Sequence, residues 1–76
     1  MKAFRCYTGP VQVHEVAETL LKAGAQKTYE GTGSVYFALP AHLPETRHDA
    51  QDFVRRVYPD AGFQVEAPLH VEWPFL

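Results

Sequence analysis

Two apolar stripes at helical spacing, each flanked by runs of alternating residues, constrain the fold of this chain more than any other feature. The first stripe contains Val13, Val16, Ala17, Leu20 and Leu21. The second contains Ala50, Phe53, Val54, Val57 and Tyr58. Both follow the i, i+3, i+4, i+7 pattern of a helix with one buried side. The stripes predict two helices, near residues 11–23 and 46–58.

Residues that start or stop helices bound both stripes. Pro10 suits a first helical turn, where a missing amide hydrogen costs no hydrogen bond. Gly24 suits the left-handed position that follows the end of a helix. Thr46 with Asp49 three residues later predicts an N-terminal cap, and Pro59 ends the second helix.

Alternating runs rich in β-forming residues fill the segments around the helices. They predict strands over residues 2–7, 25–30, 34–40 and 63–67, and a short extra strand or extended tail over residues 69–73. The sequence GTG between the second and third runs fits a hairpin loop.

The resulting order of elements is strand, helix, strand, strand, helix, strand, which is the split β-α-β unit of the ferredoxin-like fold. We therefore predict an α+β, two-layer βαββαβ sandwich with both helices on one face of an antiparallel sheet. The chain has 76 residues, so residues 1–76 are expected to form a single domain. The predicted core contains Phe4, Val16, Leu20, Phe37, Phe53, Val57 and Val65. The other sheet face would be open to water or to a partner.

The segment EGTGSVYF, residues 30–37, resembles the third-strand signature of the RNA recognition motif, K/R-G-F/Y-G/A-F-V-x-F/Y. The matching positions are Gly31, Gly33, Val35 and Phe37. The basic position holds Glu30, and the two base-stacking positions hold Thr32 and Ser34. Domains of this family bind RNA largely by aromatic stacking. We therefore interpret the segment as a tight loop, in which Gly31 and Gly33 permit positive φ, that leads into a core strand.

Composition excludes several classes of function. Lys and Arg total 7 and Asp and Glu total 9, which gives a net charge of −2. A strongly basic nucleic-acid binder would carry a positive excess, and a DNA mimic would be far more acidic. The chain has a single cysteine and no apolar run long enough for a signal peptide or a membrane span. A cytoplasmic protein without a disulfide is therefore expected.

Catalytic and metal-binding sites are not predicted. The four histidines, His14, His42, His48 and His70, have none of the spacings typical of metal ligands. Cys6 shares the inward face of the first strand with Phe4, which indicates core packing. The carboxylates are scattered, and a chain this short rarely encloses a catalytic pocket. We expect no enzymatic activity, no metal and no cofactor.

Residues suited to partner binding gather on the open sheet face and in the C-terminal tail. Strand alternation directs Arg5, Tyr7 and Tyr36 away from the helices, and the tail sequence VEWPFL adds Trp73 and Phe75. Tyr, Trp and Arg dominate the energetics of protein interfaces. We therefore predict a small non-enzymatic module that binds another protein, such as an inhibitor, adaptor or immunity-type factor. Its small size also fits phage and plasmid proteins.

Two alternative functions stay open at this point. A dimeric small-molecule sensor is one, since a short last strand would permit a homodimer by edge pairing. A nucleic-acid-binding domain is the other, and its contact residues would be Arg5, Arg47, Arg55, Tyr7 and Tyr36. The stripe Arg47, Gln51 and Arg55 on the second helix is a secondary candidate face, either solvated or in contact with an acidic partner or a phosphate.

Overall fold

The computed structural model describes residues 1–67, which form four strands, two α-helices and one 3₁₀ turn. The strands are β1 (Phe4–Tyr7), β2 (Lys27–Glu30), β3 (Ser34–Ala38) and β4 (Gln64–Glu66). The helices are α1 (Val13–Lys22), which the 3₁₀ turn Pro10–Gln12 precedes, and α2 (Arg47–Val57). The predicted extra strand or tail over residues 69–73 lies outside the described residues.

The four strands form one sheet in the order β2-β3-β1-β4, and each neighbouring pair is antiparallel. The helices pack on this sheet, which confirms the predicted α+β class. Neither helix in residues 1–67 has the length and apolar character needed to cross a membrane.

Helix α1 buries four of the five residues of its apolar stripe, Val13, Val16, Ala17 and Leu20. The fifth, Leu21, was not among the predicted core residues and is 46% exposed. At about 100° per residue, Leu21 lies at the margin of the stripe, where the helix surface turns towards solvent.

The C-terminus of α1 is closed by the predicted glycine. Gly24 has a φ of 118°, and its N–H donates to the Leu21 carbonyl at 3.1 Å. The Ala25 N–H donates to the Leu20 carbonyl at 2.9 Å. These two bonds form a Schellman cap, which satisfies carbonyls that the last helical turn leaves without a partner.

Helix α2 begins after the predicted cap, because the Thr46 hydroxyl accepts a hydrogen bond from the Asp49 N–H at 3.1 Å. Its buried residues are Ala50, Phe53 and Val54. Val57, predicted to be fully buried, is only half-buried at the last turn, where it packs against the edge of the core.

A single core lies between the helices and one face of the sheet. On that face Phe4 is paired with Phe37, and Cys6 lies between Val35 and Val65. The Phe37 ring lies 6.0 Å from the Phe4 ring and 6.1 Å from the Phe53 ring of α2. The six other predicted core residues, Phe4, Val16, Leu20, Phe37, Phe53 and Val65, are buried.

The β2–β3 loop uses its two glycines for different reasons. Gly33 has a φ of 70°, a left-handed conformation as predicted. Gly31 does not use this freedom, since its φ is not positive. A Cβ atom at Gly31 would lie 3.2 Å from the Ser34 Oγ, so close packing favours glycine there.

Candidate functional site

A row of side chains runs across all four strands on the sheet face opposite the helices. The strand register pairs Tyr29 with Tyr36, Tyr36 with Arg5, and Arg5 with Glu66. Directly opposed residues of antiparallel strands point to the same face, so these side chains are neighbours. Tyr7, two residues after Arg5 on β1, shares that face. We call these five residues the sheet-face cluster.

Arg5 is the centre of the sheet-face cluster. Its guanidinium carbon lies 4.7 Å from the centre of the Tyr7 ring and 5.3 Å from that of Tyr36. Its Nε donates a hydrogen bond to the Ser34 Oγ at 3.1 Å, and Ser34 is fully buried. Two cation–π contacts and one hydrogen bond therefore hold a long, flexible side chain in a single position.

The Tyr7 hydroxyl connects β1 to the edge strand β4. It donates a hydrogen bond to the Glu66 carboxylate, and this bond is the main reason that the pKa of Tyr7 is raised above its ordinary value. The phenol therefore stays protonated and donating throughout the physiological range. Glu66 in turn places a carboxylate at one end of the row.

The sheet-face cluster is exposed unevenly. Tyr7 is 42% exposed and Tyr29 is 46% exposed, whereas Arg5 and Tyr36 are half-buried. The Tyr29 ring meets the Tyr36 ring edge-on at 6.4 Å. Ala38, two residues beyond Tyr36 on the same strand, is fully buried. The accessible area of this face therefore centres on the tyrosine rings and the arginine between them.

The structure brings together three of the predicted contact residues, Arg5, Tyr7 and Tyr36. Trp73 and Phe75 lie outside the described residues, so their part in binding stays a prediction. Tyr29 was not predicted as a contact residue. The hairpin register that places it beside Tyr36 is the signal that could have identified it.

The secondary face on α2 turns towards β4. The Arg47 Nε donates to the Val65 carbonyl at 3.1 Å. The Gln51 side chain donates to the Phe63 carbonyl at 3.0 Å and accepts from the Val65 N–H at 3.3 Å. Arg47 and Gln51 therefore satisfy main-chain groups at an edge of the sheet, which blocks strand addition there. Arg55 continues the stripe and is exposed.

Asp52 connects other charges of α2. Its carboxylate lies 3.1 Å from the His48 Nε2 and 3.8 Å from an Arg55 nitrogen. Arg56, four residues after Asp52, does not pair with it, and His48 at i−4 and Arg55 at i+3 contact the carboxylate instead. Among residues 1–67, Arg56 makes no ion pair.

The residues of the nucleic-acid alternative are divided between two surfaces. Arg5, Tyr7 and Tyr36 lie on the sheet face away from the helices, whereas Arg47 and Arg55 lie on α2, behind the other face. The sheet separates the two groups, so they do not form one continuous basic surface.

Groups that could support other chemistry are few in the described part of the chain. Cys6 is buried, and burial raises the pKa of its thiol to about 12. The thiol is therefore protonated at neutral pH and a poor nucleophile. Within residues 1–67, no cluster of three or more His, Cys, Asp or Glu side chains is placed to hold a metal ion.

No family model, curated protein or solved structure matches this chain.

Proposed function

We propose that this protein is a non-enzymatic interaction module that binds another protein through the sheet-face cluster. The observation that carries the proposal is the position of Arg5 between the Tyr7 and Tyr36 rings, on the face away from the helices. Arg and Tyr are among the side chains most enriched in binding hot spots, since each combines a large apolar area with polar groups. An inhibitor, adaptor or immunity-type factor would act through such a face.

The side chains of the sheet-face cluster are already held in place, which lowers the entropy cost of binding a partner. Immobilising a long side chain at an interface costs about 0.5–1.5 kcal/mol. Arg5 is already held by two rings and the Ser34 hydroxyl, so much of this cost is met before a partner arrives. The Tyr7 ring is likewise fixed by its bond to Glu66. Exposed and pre-ordered aromatic side chains favour a specific protein contact over loose adsorption.

The fold class and the cellular location are part of the same proposal. The order β2-β3-β1-β4, with antiparallel neighbours throughout, supports a ferredoxin-like fold. The buried, unpaired Cys6 thiol fits a reducing cytoplasm. An NMR structure of the isolated protein would test the topology, and a different strand order would contradict it.

Site-specific photocrosslinking tests the proposed surface. A benzophenone amino acid placed at Tyr7 should form a discrete protein adduct in the native cells. The same probe at Val11, which is 95% exposed but lies outside the cluster, is the matched control. An adduct at Tyr7 that is absent at Val11 identifies both the face and the partner. Equal adducts at both positions would count against the proposal.

Affinity measurements with the captured partner provide the quantitative test. Arg5→Ala and Tyr7→Ala should each weaken binding by about 1 kcal/mol or more, while Val11→Ala leaves it unchanged. Trp73→Ala tests the contribution of the tail. The affinity should depend weakly on salt, because phosphate binding would fall steeply as salt rises. Unchanged affinity in Arg5→Ala, Tyr7→Ala and Trp73→Ala would place the binding surface elsewhere.

A further inference from the structure

A cleft of about 310 Å³ lies between α2 and the turn that leads into β4. Most of its lining belongs to α2 and to that turn, and Gln64 of β4, which is paired with Tyr7, also lines it. Small-molecule sites occupy about 300–1,000 Å³, so this cleft matches the smallest of them. Arg47, Gln51 and Arg55 line it along the helix, and Tyr58 and Phe63 line it near the turn.

Arg47 is an oriented cation without an acidic partner among residues 1–67. Its Nε is bound to the Val65 carbonyl, which fixes the plane of the guanidinium. The terminal NH₂ groups of that guanidinium stay available as donors, in the fork geometry that suits carboxylate and phosphate oxygens.

The described lining of the cleft is more basic than the chain as a whole. It contains two arginines and one carboxylate, Asp52, whose charge is shared between His48 and Arg55. The whole chain has a net charge of −2. A local positive surplus on an acidic protein favours the binding of anions in the cleft.

An aromatic pair forms one wall of the cleft. The Tyr58 and Phe63 rings lie 5.3 Å apart at an angle of 58°, and both are half-buried. Arg55 lies three residues before Tyr58, which follows the last residue of α2, and both residues line the cleft. A flat ring can pack on this wall while an acidic substituent reaches the arginines.

We infer that the cleft binds a small aromatic anion, a phosphate monoester or a carboxylate attached to a ring. The Cα atoms of Arg47 and Arg55 are about 12 Å apart along the helix axis, at 1.5 Å per residue. Both side chains are long enough to converge on one anionic group placed over Gln51. The ring of the ligand packs on Tyr58 and Phe63. The site shares no residue with the sheet-face cluster, so its ligand and the proposed protein partner would contact different residues.

An NMR titration with phenyl phosphate tests this site. The backbone amides of Gln51 and Gly62, which line the cleft, should shift with saturation and a Kd of about 1 mM or tighter. Arg55→Gln should weaken binding about tenfold, since it removes a charge-assisted hydrogen bond. Arg56→Gln is the matched control, because it removes the same charge from the same helix outside the cleft. It should bind phenyl phosphate like the unmodified protein.

Three further ligands test the type of acidic group, the aromatic ring and the negative charge one at a time. Benzoate distinguishes a carboxylate from a phosphate, and binding of either aromatic anion supports the inference. Inorganic phosphate has no ring and phenol has no charge, so each should bind at least about tenfold more weakly than the preferred aromatic anion. Equal weakening in Arg55→Gln and Arg56→Gln would reveal unspecific charge attraction and overturn the inference. The absence of a saturable shift with both aromatic anions would also overturn it.

Discussion

Leu20 and Leu21 are adjacent leucines on α1 whose truncation separates the contribution of burial from every other effect. Both belong to the apolar stripe, but Leu20 is fully buried and Leu21 is 46% exposed. Leu→Ala at either position changes helix propensity by the same small amount, so that effect cancels in the comparison. The difference between the two variants therefore measures the side chain's contact with the core.

The burial of each leucine determines how much free energy of unfolding its truncation should remove. Truncating a fully buried leucine removes its transfer free energy and leaves a cavity, which together cost about 2.7–5 kcal/mol. At Leu21 only about half of the transfer term is at stake and no cavity forms, so the cost is about 1 kcal/mol or less. A domain of this size has a total stability of about 4–11 kcal/mol. Leu20→Ala therefore removes a large fraction of it.

Urea denaturation followed by circular dichroism measures both effects. With an m-value of about 1 kcal/mol per M, Leu20→Ala should lower the midpoint by about 3–5 M and Leu21→Ala by about 1 M or less. A Leu20→Ala protein that is unfolded without urea agrees with the same reasoning. Equal midpoints for the two variants would mean that α1 is rotated about its axis relative to the structure described here.

Three other predictions concern single side chains. Glu30, by its hydrogen bond and charge, and then Glu18 raise the pKa of His14 above its ordinary value of 6.5. Protonated His14 therefore stabilises the folded state fully below pH 6.5, and this stabilisation is lost as the pH rises through the raised pKa. The urea midpoints of wild type and His14→Gln should differ at pH 5 and converge at high pH. Gly33→Ala should cost about 1–2 kcal/mol in thermal unfolding, since its φ is 70°; an unchanged melting temperature would contradict the loop conformation. Cys6 should react with a thiol reagent only after unfolding, because burial raises its pKa to about 12; rapid labelling of the native protein would contradict that placement.

Local sequence signals predict the positions of the helices and strands well. The stripes, Gly24 and Thr46 predict α1 and α2 to within a residue or two, because helix periodicity and capping depend on neighbouring residues alone. The start of α1 differs, since Pro10 opens a 3₁₀ turn before the α-helix begins at Val13. The exposure of Leu21 depends on how α1 is rotated over the sheet, which is a tertiary property that periodicity defines only approximately.

The candidate site shows the same division between local and long-range information. Alternation along single strands predicts that Arg5, Tyr7 and Tyr36 share a face, and the structure places them together. The bond from Tyr7 to Glu66 requires β4 to lie beside β1, and no pattern within one strand reveals that neighbour. The contacts of the Arg47–Gln51 stripe with β4 also require a long-range arrangement, which explains why a solvated helix face was a reasonable alternative.

Strand β4 connects the two proposed binding surfaces, and this determines which variants test them independently. Its Glu66 side chain belongs to the sheet-face cluster, while Arg47 and Gln51 hold the main chain of Val65 from the cleft side. Arg47→Ala or Gln51→Leu would loosen β4 and disturb both surfaces at once. Arg5 and Arg55 share no partner and lie on opposite sides of the sheet. The effects of Arg5→Ala and Arg55→Gln on stability should therefore add to within about 0.3–0.5 kcal/mol. A larger departure from additivity in the double variant would show that the sheet couples the two surfaces.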